Sequence, residues 1–86
     1  MKNWIAFYVK YLSESNPLLQ ELHGWECQGK DREGALENLE KNPYVPFSCF
    51  LADIVLAEDV DAWIAEFKAE AKRLDVPFIY RFHKHN

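Results

Sequence analysis

The chain has few of the residue types on which common catalytic and binding motifs depend. It contains only three glycines in 86 residues and no glycine-rich loop of the kind that holds phosphate groups. Its two cysteines, Cys27 and Cys49, are too few for a disulfide scaffold and form no Cys-x-x-Cys motif. Neither a nucleophile elbow nor a paired-carboxylate motif is present. The sequence therefore predicts no cofactor and no metal, and it favours a protein that is not an enzyme.

Long hydrophobic runs are also missing. The N-terminal stretch MKNWIAFYVKYL is interrupted by Lys10 and lacks the small-residue cleavage site of a signal peptide. The longest apolar run is far shorter than a membrane-spanning helix requires. We therefore expect a soluble cytoplasmic protein with no membrane contact, in which both cysteines are reduced.

Acidic and basic residues are distributed unevenly along the chain, whose net charge is −4. Residues 31–66 carry two basic and nine acidic side chains, whereas residues 67–86 carry five basic and two acidic ones. A nucleic-acid binder usually has a dominant basic face, so this distribution disfavours nucleic acid as a partner. The acidic stretch from Asp31 to Glu40 is typical of a solvated helix face, although such a surface also attracts basic partners.

Apolar periodicity predicts one α/β domain spanning residues 1–86, with four strands and two helices. The predicted strands are 3–12, 25–28, 47–58 and 76–83, and the predicted helices are 31–42 and 60–74. Asp31 and Asp59 are suitable N-caps, and Asn42–Pro43 ends the first helix. Residues 16–24 have two interpretations, a short helix that begins at Asn16–Pro17 or a loop that leads to a hairpin.

Each helix has a single apolar stripe, which indicates how the layers are arranged. We predict an α+β fold, a two-layer α/β sandwich with an approximately four-stranded mixed sheet and two helices on one face. The other sheet face would be partly open. This arrangement is broadly ferredoxin-like, but the helix at 31–42 replaces the hairpin that joins the second and third strands of that fold. The topology is therefore expected to be a variant.

The predicted open face is where a binding surface is expected. If Ile5, Phe7 and Val9 face the helices, the alternate residues of each strand face outward. That outward set is apolar with a few charges, which is typical of a protein interface or a homodimer contact. Base stacking on this face is a weaker hypothesis, because basic residues are sparse there. The predicted interface residues are Trp4, Tyr8, Leu51, Asp53, Ile79, Arg81 and His83, with Phe47, Cys49 and Val55 in the same outward set.

Asp53 is the only acid between the two ends of the long apolar strand, whose last residue is Glu58. A carboxylate in such a position needs a partner or has a raised pKa, and Arg81 is the predicted partner. A structural ion pair is favoured over a role as general acid or base, because perturbed carboxylates also occur in purely structural pairs.

The histidines provide weaker signals. His83 and His85 are two residues apart, so on a strand they would project to the same side, and His23 and Cys27 could complete a metal site. We favour a frayed C-terminal tail instead. A thiol dyad of His23 and Cys27 lacks a third group that would orient it.

Two functions are consistent with these features. The first is a small non-enzymatic protein-binding module, such as an inhibitor or adaptor, that acts through the exposed sheet face or the acidic helical surface. The alternative is a dimeric α/β-barrel that binds or converts a small molecule in a pocket between two facing sheets. In that case Asp53, Arg81 and His83 would be the polar groups of the pocket.

Overall fold

The computed structural model describes residues 1–41 and 49–83. Two predicted features, the helix end at Asn42–Pro43 and the outward Phe47, lie outside these ranges, as does His85, for which a frayed tail was favoured over a metal site. The predicted four strands and two helices are confirmed. The elements are β1 (Lys2–Tyr11), β2 (Gln20–Gly29), α1 (Arg32–Glu40), β3 (Cys49–Leu56), a 3-10 turn (Ala57–Asp59), α2 (Val60–Arg73) and β4 (Tyr80–His83).

The strands form one mixed sheet in the order β3-β1-β2-β4, which confirms the predicted α+β arrangement. β1 is antiparallel to both β2 and β3, whereas β2 and β4 are parallel. β3 and β4 are therefore the two edges of the sheet and run in the same direction. The hairpin joins β1 to β2, and the two helices occupy the other two connections.

The segment 16–24 forms the hairpin, and the short helix that was the other interpretation is wrong. Leu19 donates its backbone N–H to the carbonyl of Asn16 at 3.1 Å, which closes the turn. β2 then begins at Gln20 and pairs with β1 through ten successive residues. A helix of two turns is marginal in water, whereas the hairpin gains a complete ladder with β1.

The two helices pack against opposite faces of the sheet, not against one face as predicted from their apolar stripes. Ile5 and Phe7 of β1 belong to a cluster with α2, and the alternate residues Ala6 and Tyr8 belong to a cluster with α1. The direction of the crossovers explains this. β2, β3 and β4 are parallel to one another, and the two crossovers between them step in opposite directions across the sheet. Two right-handed crossovers of that kind place their helices on opposite faces.

The start of α1 follows the prediction closely. The side chain of Asp31 accepts a hydrogen bond from the backbone N–H of Gly34 at 2.7 Å, and Ala35 and Leu39 are buried. α1 approaches β2 so closely that a Cβ atom on Gly29 would lie 2.6 Å from the Cα of Ala35. The cap of α2 differs, since Asp59 occupies the N-cap position without a side-chain cap hydrogen bond.

Candidate functional site

The predicted interface residues do not form one surface. Tyr8 is buried with the cluster beneath α1, where its ring meets that of Trp25 edge-on at 6.0 Å. Trp4 is half-buried against the same cluster, and its indole Nε1 donates to the carbonyl of Gly29 at 3.1 Å. These two aromatic residues therefore contribute to the interior of the monomer.

Asp53 projects to the α2 side of the sheet, because it pairs with Phe7. It accepts hydrogen bonds from Nη2 of Arg32 at 2.8 Å and from Nε1 of Trp63 at 3.0 Å. The predicted pairing with Arg81 is wrong, since β3 and β4 lie at opposite edges of the sheet. Asp53 is nevertheless a partner in an ion pair, as the structural interpretation required.

A β-bulge in β3 makes the predicted regular alternation of its two faces wrong. Asp53 pairs with Phe7 and Leu51 pairs with Tyr8, so that Ala52 is the extra residue. The alternation of side chains therefore reverses at Ala52. Phe50 and Asp53 consequently lie on the α2 side, whereas Leu51 lies on the α1 side.

The three polar groups of the alternative hypothesis are not brought together. Arg81 and His83 lie on the α1 side of β4, since they pair with His23 and Trp25 of β2, while Asp53 lies on the α2 side of β3. Ile79 lies apart from these three residues, in the wall of a cavity of about 220 Å³ between the end of α2 and the segment before β4. Apolar residues form most of that wall, with Gln20 and Glu70 as polar members.

One exposed apolar surface remains near the predicted interface. Phe50 is 63% exposed, and its ring contacts that of Tyr11 with the centroids 5.8 Å apart. Leu51 is 41% exposed and projects to the other side of the same strand. These three residues, which we name the β3 patch, surround the beginning of an edge strand.

A second feature is a polar network between β2 and β4, which was not predicted from the sequence. Nδ1 of His23 lies 2.8 Å from Nε2 of His83, and Nε2 of His23 lies 2.6 Å from Oε1 of Glu21. Nε of Arg81 lies 3.3 Å from the other carboxylate oxygen, Oε2 of Glu21. We name Glu21, His23, Arg81 and His83 the histidine network.

Burial and charge shape the titration of this network. Desolvation raises the pKa of Glu21, but hydrogen bonds from Arg81 and His23 outweigh it and leave the pKa below its ordinary value. Desolvation is also the main reason why the pKa of His83 is lowered, and the nearby His23 and Arg81 add to the effect. The network therefore favours an ionised carboxylate beside a neutral His83 ring.

Trp25 holds the ring of His83 in place. The two rings stack with centroids 3.9 Å apart and an interplanar angle of 12°. Trp25 is itself buried, next to Tyr8 and beneath α1. The orientation of His83 is therefore set by the core as well as by its hydrogen bond to His23.

Two other hypotheses for the histidines were a metal site and a thiol dyad. Within residues 1–41 and 49–83, no group of three or more His, Cys, Asp or Glu side chains could hold a metal ion. His23 and Cys27 are four residues apart on one strand, a separation of about 13 Å, which is too long for a thiol dyad. Cys27 is buried, and desolvation raises its pKa to about 11.

A sequence signal for the network does exist. Glu21, His23 and Trp25 alternate along β2, and Arg81 and His83 alternate along β4, so each set projects to one side of its strand. The signal is hidden because β2 and β4 are adjacent only in the folded sheet.

Among the described residues, no helix is long and apolar enough to cross a membrane. No protein-family model matches the chain, and comparison with curated proteins and with solved structures gives no significant match.

Proposed function

We propose that the protein is a small protein-binding module that contacts its partner through the β3 patch. The observation that carries this proposal is the aromatic pair of Phe50 and Tyr11, which is largely exposed at the end of the sheet. Burying one large apolar side chain contributes about 1.5–3 kcal/mol, so covering the patch would stabilise a complex. Aromatic residues are also enriched at the centres of protein interfaces.

The shape of the patch indicates how a partner would dock. Phe50 and Leu51 project to opposite sides of β3, so a partner that covers both must sit against the edge of the sheet. Within the described part of the chain, β1 is the only strand neighbour of β3. The bulge at Ala52 interrupts a regular ladder on this edge, and side-chain contacts would therefore supply most of the binding energy.

The partner that we propose to test first is a second copy of the chain. The patch consists of apolar and aromatic side chains without a charge, so it can meet itself across a two-fold axis. A different protein is the second form of the proposal, in which the module acts as an inhibitor or adaptor. The exposed acids Glu33, Glu37 and Glu40 on α1 would then favour a basic partner.

The test is sedimentation velocity at increasing protein concentration. We expect the wild type to associate and Leu51→Glu to remain monomeric, because a desolvated charge in an apolar contact costs several kcal/mol unless it is paired. Phe50→Glu should behave in the same way. Phe82→Glu is the matched control, since Phe82 is a 44% exposed aromatic residue on the opposite edge strand.

Circular dichroism separates loss of association from loss of folding. A wild type that stays monomeric at the highest concentration would rule out self-association and leave only the form with a different partner. If Phe82→Glu dissociates the complex as well as Leu51→Glu does, the contact is not specific to β3. An unfolded Leu51→Glu variant would show that Leu51 is required inside the monomer.

A further inference from the structure

The two histidines of the histidine network are hydrogen-bonded edge to edge. Their rings are inclined by only 10°, with centroids 5.0 Å apart and 2.8 Å between Nδ1 of His23 and Nε2 of His83. The N–H of one ring therefore points along the lone pair of the other. A proton can cross this hydrogen bond without rotation of either ring.

The ionised carboxylate of Glu21 determines the direction of the hydrogen bonds. A carboxylate only accepts hydrogen bonds, so Nε2 of His23 carries a proton and donates it to Glu21. In the neutral form of His23, Nδ1 then accepts, and Nε2 of His83 must be the donor. The lone pair of a neutral His83 ring is consequently on Nδ1.

Nδ1 of His83 is the ring nitrogen that does not contact His23. It makes no hydrogen bond with any other described residue. Among residues 1–41 and 49–83, no buried side-chain nitrogen or oxygen lacks a hydrogen-bond partner. Nδ1 of His83 is therefore not a buried, unpaired atom, and the side chains of His23 and Glu21 are only 9% and 14% exposed.

We propose that Glu21, His23 and His83 form a proton relay that makes Nδ1 of His83 a general base and nucleophile toward activated acyl esters. The order of carboxylate, histidine and nucleophile is that of acyl-transfer triads, with an imidazole in the place of the serine hydroxyl. His83 is the catalytic residue, since it alone would touch the substrate. Arg81 and Trp25 are positioning residues, one for Glu21 and the other for the His83 ring.

The proposed steps take 4-nitrophenyl acetate as the substrate. Nδ1 of His83 bonds to the carbonyl carbon, and 4-nitrophenolate leaves with the electron pair of the ester bond. The proton on Nε2 of His83 passes to Nδ1 of His23, whose positive charge is stabilised by Glu21. Water then cleaves the acyl–nitrogen bond and supplies the hydroxyl group of acetic acid. Its other proton goes to solvent, while the proton on His23 returns to Nε2 of His83.

The first test measures nitrophenolate release between pH 6 and 8.5 for a set of variants. His83→Gln should reduce the rate to that of the remaining background. Glu21→Gln should lower it about tenfold, because the amide still accepts from His23 but no longer stabilises its positive charge. His85→Gln is the matched control, since His85 is the third histidine of the chain, and it should leave the rate unchanged.

The second test is independent of any reaction. Long-range nitrogen–proton NMR spectra of the wild type at pH 7.5 should show the Nε2–H tautomer for both His23 and His83. A His83 ring with its proton on Nδ1 would overturn the proposal, as would loss of the esterase reaction in His85→Gln. An unchanged rate in Glu21→Gln, with folding verified by circular dichroism, would also overturn it.

Discussion

The rings of Phe7 and Trp63 lie face to face, with centroids 4.0 Å apart and an interplanar angle of 4°. Phe7 is in the central strand β1 and is fully buried, whereas Trp63 is in α2. The indole of Trp63 also donates to Asp53 on β3. Trp63 therefore joins α2 to both β1 and β3, and Phe7 lies at the centre of the α2-side core.

Replacement of Phe7 should be among the most destabilising substitutions in the chain. Phe7→Ala removes a buried ring and leaves a cavity, with an expected loss of about 3–5 kcal/mol in the free energy of unfolding. Phe50→Ala is the matched control, because the phenyl ring of Phe50 is largely exposed. This substitution should cost less than about 1 kcal/mol. Urea unfolding monitored by circular dichroism measures both values. Equal losses for the two variants would show that Phe50 is also a core residue.

Asp53 should matter more to stability than its cationic partner Arg32. Asp53→Ala leaves Nε1 of Trp63 without its acceptor in a half-buried position, which should cost about 1–3 kcal/mol. Arg32→Ala breaks an ion pair whose cation is largely exposed, and such pairs contribute at most about 1 kcal/mol. Thermal unfolding of the two variants tests the order. A loss in Arg32→Ala as large as that in Asp53→Ala would contradict it.

Gly29 is required by the close approach of α1 to β2. In Gly29→Ala the new methyl group would collide with the backbone of Gly34 and Ala35, which must shift with the helix. We expect a loss of about 1–3 kcal/mol, as for overpacked cores. Gly34→Ala is the comparison, since its Cβ would come nearest to the side chain of Asp31, at 3.2 Å. That variant should change stability by no more than about 1 kcal/mol in either direction. Similar losses in both would indicate a general effect of glycine replacement.

The histidine network should make the protein less stable at acidic pH. Because the pKa of His83 is lowered in the folded state, the unfolded chain binds a proton more readily. This contribution to stability is complete above the ordinary histidine value of 6.5 and decreases as the pH falls toward the lowered pKa. The pKa of Glu21 is also lowered, so its contribution is complete above the ordinary carboxyl value of 4.5 and is lost at lower pH.

Urea midpoints measured between pH 4 and 8 test this dependence. His83→Gln should reduce the loss of stability just below pH 6.5 but keep the loss of stability below pH 4.5. If His83→Gln has the same profile as the wild type, the pKa of His83 is not lowered in the folded protein.

Local patterns in the sequence determined most of the secondary structure. The 3-and-4 spacing of apolar residues predicts both helices, and Asp31 identifies the start of α1 through its cap. Strand alternation also identifies the side of β4 that carries Tyr80 and the side that carries Arg81 and His83. These features depend on residues within a few positions of one another, which is why a linear pattern contains them.

The tertiary structure alone decided which elements meet. The order of the strands separated Asp53 from Arg81, and the bulge at Ala52 reversed the facing of β3 at a single residue. His23 and His83 are 60 residues apart and become hydrogen-bonded only because β4 is placed beside β2. Strand order and helix placement follow from the handedness of two long crossovers and from burial on both sheet faces. Those are properties of the whole chain, which no short stretch of residues contains.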